Sequence, residues 1–253
     1  MLRTRVIPVL LLKNKGLVKT IQFKTETYIG DPINAVKIFN DKEVDELIFL
    51  DITASKEKHL PNFELLEQLA TECFMPFSYG GGINDFETAQ KLLSIGIEKL
   101  IFNSLLFEPI VELRKIITNF GSSTVIGSID IKKNFWGKYQ VYSHSGREIK
   151  IKDPVIFAKR MNDEGVGEIM IASVDRDGMM NGYEIEMLEK IATAVSVPVI
   201  ACSGAKSLSD FKDVVENAGA SAVAAGSMFV YHGKLKGVLI NFPERTEIEK
   251  YLK

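Results

Sequence analysis

Cysteine, tryptophan and histidine are scarce in this chain: its 253 residues include 2 Cys, 1 Trp and 3 His. Cys73 and Cys202 lie far apart, so neither a disulfide framework nor a cysteine metal site is expected. No metal and no organic cofactor is expected, and a reduced cytoplasm is the default compartment. No apolar run reaches the roughly 20 residues that cross a bilayer, so no membrane association is expected. Met1–Arg5 leads straight into a strand-like stretch without a small-residue cleavage site, and no secretory leader is expected. An excess of one charge is also missing. Lys+Arg 31 against Asp+Glu 33 leaves −2, which gives no electrostatic case for nucleic acid as a partner.

What is present is a regular alternation. Hydrophobic residues make up 46% of the chain, enough for a sizeable core. Short apolar runs read as strands: Val6–Leu12, Leu47–Asp51, Phe77–Tyr79, Lys99–Asn103, Thr124–Asp130, Glu168–Ser173, Val199–Cys202 and Ala222–Ala225. They are apolar on both faces, as strands of a covered parallel sheet are. Amphipathic segments lie between them: Pro32–Phe39, Phe63–Glu72, Phe86–Ser94, Pro109–Thr118, Pro154–Asn162, Glu184–Ala194 and Leu208–Asn217. This pattern predicts βαβ units and an α/β fold.

The chain also repeats itself. Met75–Gly82 is similar to Val197–Gly204, and each is followed by Asp-Phe opening a helix, at Asp85-Phe86 and Asp210-Phe211. Glu46–Asp51 matches Glu168–Ser173, and Arg5–Leu11 matches Thr124–Asp130. Two such halves, about 1–123 and 124–253, predict one (β/α)8 TIM barrel domain over 1–253 with a pseudo-twofold half-barrel repeat. The segment Lys132–Lys152, with Trp136, Tyr139, Tyr142, His144 and Gly146, is too long for an ordinary βα connection and is expected over the C-terminal face.

In a barrel, polar residues at the C-terminal ends of strands are the functional candidates. Here they are Asp51, Asn103, Asp130, Ser173, Asp175 and Asp177. A semi-buried carboxylate with a raised pKa suits general acid–base work, and Asp130 is read as catalytic. For Asp51 and Asp175, capping of the next helix is an equal reading. Gly80-Gly81-Gly82 and Ser203-Gly204 follow the third and seventh strands, and Asn103-Ser104 and Gly226-Ser227 follow the fourth and eighth. Such turns let backbone N–H groups approach phosphate, and two of them fit an anionic small-molecule substrate charged at both ends. Plain tight turns are the alternative. Histidine as a type titrates near neutrality, but His144 and His232 fall in loops expected to be exposed, which favours a solvated role over a catalytic one.

Long stretches resemble the cyclase subunit of imidazole glycerol phosphate synthase: Asp45–Ser55, Gly80–Ile83, Asp85–Ala89 and Ser173–Gly178. The likeness covers nearly the full length. It implies that ammonia comes from a glutaminase subunit docked at the N-terminal face, through a gate at Arg5, Glu46, Lys99 and Glu168, with Glu98 nearby. It also implies substrate contacts from Lys19, Asp51, Asn103, Asp130 and Asp177. No glutaminase nucleophile motif occurs in this chain, so its ammonia has to come from another.

One position departs from that family. The resemblance places an aspartate at the end of the first strand, paired with Asp130, and this chain has Leu11 there. Leucine exchanges no proton, and Lys13 or Lys19, with an ordinary pKa near 10, is a poor substitute at neutral pH. Ala172 and Cys202 depart as well. Leu10–Leu12, Tyr28–Pro32 and Val230–Lys234 are similar to a paralogous branch associated with acetamidino modification of surface sugars. That likeness implies an ammonia-passing synthase subunit serving an N-acetyl sugar through a third, sugar-amidating protein. The rival readings are a working cyclase and a scaffold that activates its glutaminase.

Overall fold

The computed structural model describes residues 3–143, 148–233 and 235–252; His144, Gly146 and Lys234 lie outside them. Eight parallel strands form the barrel: β1 (Arg5–Lys13), β2 (Leu47–Asp51), β3 (Phe77–Gly80), β4 (Lys99–Phe102), β5 (Val125–Lys133), β6 (Glu168–Ser173), β7 (Val199–Cys202) and β8 (Ala222–Ala225). Neighbours in sequence are neighbours in space, and β8 pairs back onto β1 with Arg5 opposite Ala222, so the sheet closes. The architecture is the (β/α)8 barrel.

Strand periodicity divides the core in two. Ile7, Val9, Ile48, Ile101, Ile126, Met170 and Ile200 fill the bore. Val6, Leu10, Phe49, Leu100, Ile129 and Ile171 point outward and pack under the helices. Burying each of these side chains contributes about 1.5–3 kcal/mol. The longer helices are α1 (Pro32–Asp41), α2 (Phe63–Glu72), α3 (Phe86–Ile95), α4 (Val111–Phe120), α5 (Pro154–Asp163), α6 (Ile185–Ala194), α7 (Leu208–Ala218) and α8 (Arg245–Tyr251), with single turns at Ala54–Glu57 and Ser227–Val230. Side chains cap several starts: Asp31 on α1, Asn62 on α2, Asp85 on α3 and Asp153 on α5. Each such cap contributes roughly 1 kcal/mol.

Three features differ from the sequence pattern. β5 runs on to Lys133 because it gains an antiparallel neighbour, Tyr139–Ser143, which in turn pairs with Glu148–Ile151. β1 similarly continues into a hairpin of Gly16–Ile21 and Thr25–Gly30. Helix α8 was absent from the pattern, being a single short segment with one buried residue, Ile248. No helix among the described residues is long and apolar enough to cross a membrane.

Candidate active site

The C-terminal ends of the strands surround a cavity of about 220 Å³. Lys19, Asp51, Gly81, Gly82, Asn103, Ser104, Asp130, Asp177, Ser203, Gly204, Gly226 and Ser227 all line it. Ser173 and Asp175 do not: Ser173 is buried in β6, and Asp175 accepts the Lys133 N–H at 2.8 Å. Asp51 lines the cavity, but its Oδ1 caps the next turn, accepting from Thr53 N at 2.9 Å, Thr53 Oγ1 at 2.8 Å and Ala54 N at 3.0 Å. His232 is exposed on a short strand outside the cavity.

Asp130 projects from the inner face of β5 and accepts no hydrogen bond from any described residue. Burial first, and the neighbouring Asp177 second, push its carboxyl up to about 7. Asp177 is also raised by burial, although Thr20 Oγ1 at 2.6 Å and Phe23 N at 3.2 Å donate to it. Those donors come from the β1 hairpin, so Asp177 ties that hairpin across the mouth. Thr20 and Phe23 line the cavity too, and sequence reasoning missed both.

Lys19 is buried, and its Nζ donates to the Val9 carbonyl at 2.5 Å. Burial lowers its pKa to about 8, against the opposing pull of Asp177. The objection that a lysine here titrates far above neutrality therefore fails, because its environment and not its type sets the value. Lys19 Nζ stands where a Cβ on Gly226 would be, so a side chain at that position would displace the lysine head from the β8 turn. The β7 turn has a stricter demand. Gly204 has φ +108° and packs against the Gly182 carbonyl, which excludes any side chain.

Leu11 faces the same cavity and packs against the bore. Register makes its position comparable with that of Asp130. Leu11 lies opposite Leu50, four residues after Glu46, and Asp130 lies opposite Ala172, four residues after Glu168. A hydrocarbon thus stands where the equivalent strand carries its carboxylate. Ala172 and Cys202, also on the bore, extend this less polar wall, and burial holds the Cys202 thiol up at about 12.

At the opposite end, strand starts bring four charges together. Arg5 donates to Glu46 at 2.6 Å and pairs with Glu168; Lys99 donates to Glu168 at 2.7 Å and lies 3.3 Å from Glu46. Ser78 Oγ adds a 2.9 Å bond to Glu46. Each charge has two opposite neighbours, which offsets the cost of burial. For Glu168, burial pulls the pKa up, but the bonds from Arg5 and Lys99 outweigh it and hold the group below its ordinary value. Glu98 is exposed beside this quartet.

A closed barrel with an acid-lined, glycine-turned mouth at the C-terminal ends of its strands defines the class of (β/α)8 barrels that carry their site at that face. Residues 5–236 match the family described as "Histidine biosynthesis protein". A Pseudomonas aeruginosa protein provisionally named imidazole glycerol phosphate synthase subunit hisF2 is 50% identical over 249 residues, covering 98% of this chain and 99% of its own. A Vibrio vulnificus protein, provisionally named as subunit hisF3, is 42% identical over 253 residues, covering 100% and 97%. The imidazole glycerol phosphate synthase subunit HisF of Alkaliphilus metalliredigens is 35% identical over 232 residues, covering 92% of each. The chain belongs to the HisF-like family of imidazole glycerol phosphate synthase subunits.

Proposed function

We propose that this chain is the ammonia-accepting subunit of a glutamine amidotransferase complex that passes ammonia on for amidation, of an N-acetyl sugar in surface polysaccharide, without closing an imidazole ring. The glutaminase subunit docks at the end holding Arg5, Glu46, Lys99 and Glu168, which gate entry to the bore. The mouth holds an anionic substrate at its two pairs of turns, with Asp130 as the acid–base group. The observation that carries the reading is Leu11, which faces the cavity at the position equivalent to Asp130. Losing one positioned acid or base costs about 10²–10⁴ in rate.

A second reading, a working cyclase of histidine biosynthesis, is favoured by Lys19. Its pKa near 8 lets it exchange a proton close to neutrality. The deciding experiment supplies the histidine-pathway intermediate and free ammonium salt to the purified barrel. The expected outcome is turnover far below that of a HisF with both acids, raised markedly by Leu11→Asp. Turnover within about tenfold of such a HisF decides for the second reading.

A further inference from the structure

The turn after β5 is stiff and apolar at its tip. Asn134 Oδ1 accepts from Trp136 N at 2.9 Å and from Lys138 N at 3.0 Å. Asn134 N donates to the Lys138 carbonyl at 2.8 Å, and Gly137 N donates to the Asn134 carbonyl at 2.9 Å. These four bonds hold Phe135 and Trp136 edge to face, 5.5 Å apart, with 94% and 80% of their surfaces in solvent.

Other loops at the same end of the barrel add to this surface. Tyr28 follows β1, Leu60 follows β2, and Leu235 and Leu239 follow β8, all exposed. Phe135 and Trp136 are in ring contact with each other, and an exposed aromatic pair of this kind marks a face that another molecule covers. Lys24, Lys56, Lys58 and Lys138 are exposed on the same loops and form no ion pair among the described residues. Against these four lysines the same loops expose Glu57, and Glu26 is already paired with Lys13, so the loops are locally basic and their complement is acidic.

We propose that the C-terminal rim is a docking face for an acidic-surfaced protein, anchored by Phe135 and Trp136, and that this protein is the enzyme that consumes the ammonia. The inference rests on the reading that ammonia is passed on. Ammonia admitted at the Arg5 quartet emerges at this mouth, where contact with bulk water protonates it and removes its nucleophilic lone pair. A consumer seated on the rim prevents that loss. Lys24 and Lys56 line the cavity as well as the rim, so a docked protein reaches the mouth directly. A bilayer consumes no ammonia, so a protein is the cover that fits this reading. Tryptophan at the centre of a protein interface is among the side chains whose loss weakens binding most.

Trp136 is the chain's single tryptophan, so fluorotryptophan incorporation yields one fluorine resonance that reports this turn alone. The test titrates the barrel–glutaminase complex with the sugar-amidating enzyme of the same organism. The resonance is expected to shift, and Phe135→Ser and Trp136→Ser, followed by calorimetry, are each expected to weaken binding about tenfold or more while glutaminase stimulation stays unchanged. Binding by the enzyme with both variants as tight as the parent overturns the docking face and leaves the ammonia reading intact. A barrel–glutaminase complex that forms but never binds the enzyme overturns both. A resonance that moves with anionic phospholipid vesicles and not with the enzyme overturns the protein partner in favour of a membrane.

Discussion

Replacing Asp130 with asparagine is expected to stabilise the fold. Asp130 is 8% exposed, and burial together with Asp177 raises its carboxyl to about 7. In an unfolded chain an aspartate titrates near ~3.9. The difference, about 3 pH units at roughly 1.36 kcal/mol each, bounds the cost of holding the ionised form at about 4 kcal/mol. Below about pH 4 both states keep the proton, and no cost arises. Between about 4 and 7 the unfolded chain has lost a proton that the folded one retains, so stability falls as pH rises. Above about 7 the full cost is in place. Asp130→Asn removes the titration and is expected to exceed the parent by about 2–4 kcal/mol near pH 8 and by about 1–1.5 kcal/mol near pH 5. Urea denaturation of both proteins at the two pH values measures the gap. Equal stability near pH 8, or a gap that does not narrow on acidification, refutes the argument from burial.

Lys99→Met leaves Glu46 and Glu168 sharing Arg5, and is expected to cost about 2–4 kcal/mol near neutral pH, read by thermal or urea unfolding. Because Glu168 is held below its ordinary pKa, that loss is expected to shrink as pH falls through the acid range, where Glu168 takes up a proton. The same variant is expected to weaken stimulation of the glutaminase; unchanged stimulation counts against the gate. Inorganic phosphate is expected to bind at the turns Gly81–Gly82 with Ser104, and Gly204 with Gly226–Ser227, seen as two anions in phosphate-soaked crystals. Binding beside Gly226 is expected to weaken as pH rises through about 8, where Lys19 loses its charge. A flat pH profile there removes Lys19 from the site.

Much of the barrel was legible in the sequence, because strands buried on both faces read as unbroken apolar runs. β2, β6, β7 and β8 begin and end where the pattern placed them. The end of β5 was not legible, since Lys132 and Lys133 are polar and stay in the sheet only because Tyr139 and Gln140 pair beside them. The β1 hairpin escaped for a similar reason: Thr25–Tyr28 is exposed, with no apolar alternation to betray a strand. Strand-end carboxylates and glycine turns could be picked out by position. Thr20 and Phe23 could not, because their place in the site is set by Asp177, more than 150 residues away in sequence. The lowered pKa of Lys19 was equally out of reach, since burial is a property of the folded barrel.

The four charges at the N-terminal end come from β1, β4 and β6 and from the residue before β2, so they bridge strands that share no backbone hydrogen bonds with one another except at β1–β2. They behave as a lacing drawn across the bore. Pulling one contact open leaves two ions each half-neutralised, and that penalty favours release of the next. Opening this end is therefore closer to a latch than to a breathing motion: the lacing holds whole or gives way as a unit, and a partner that takes over one of its carboxylates gains leverage on all four side chains at once.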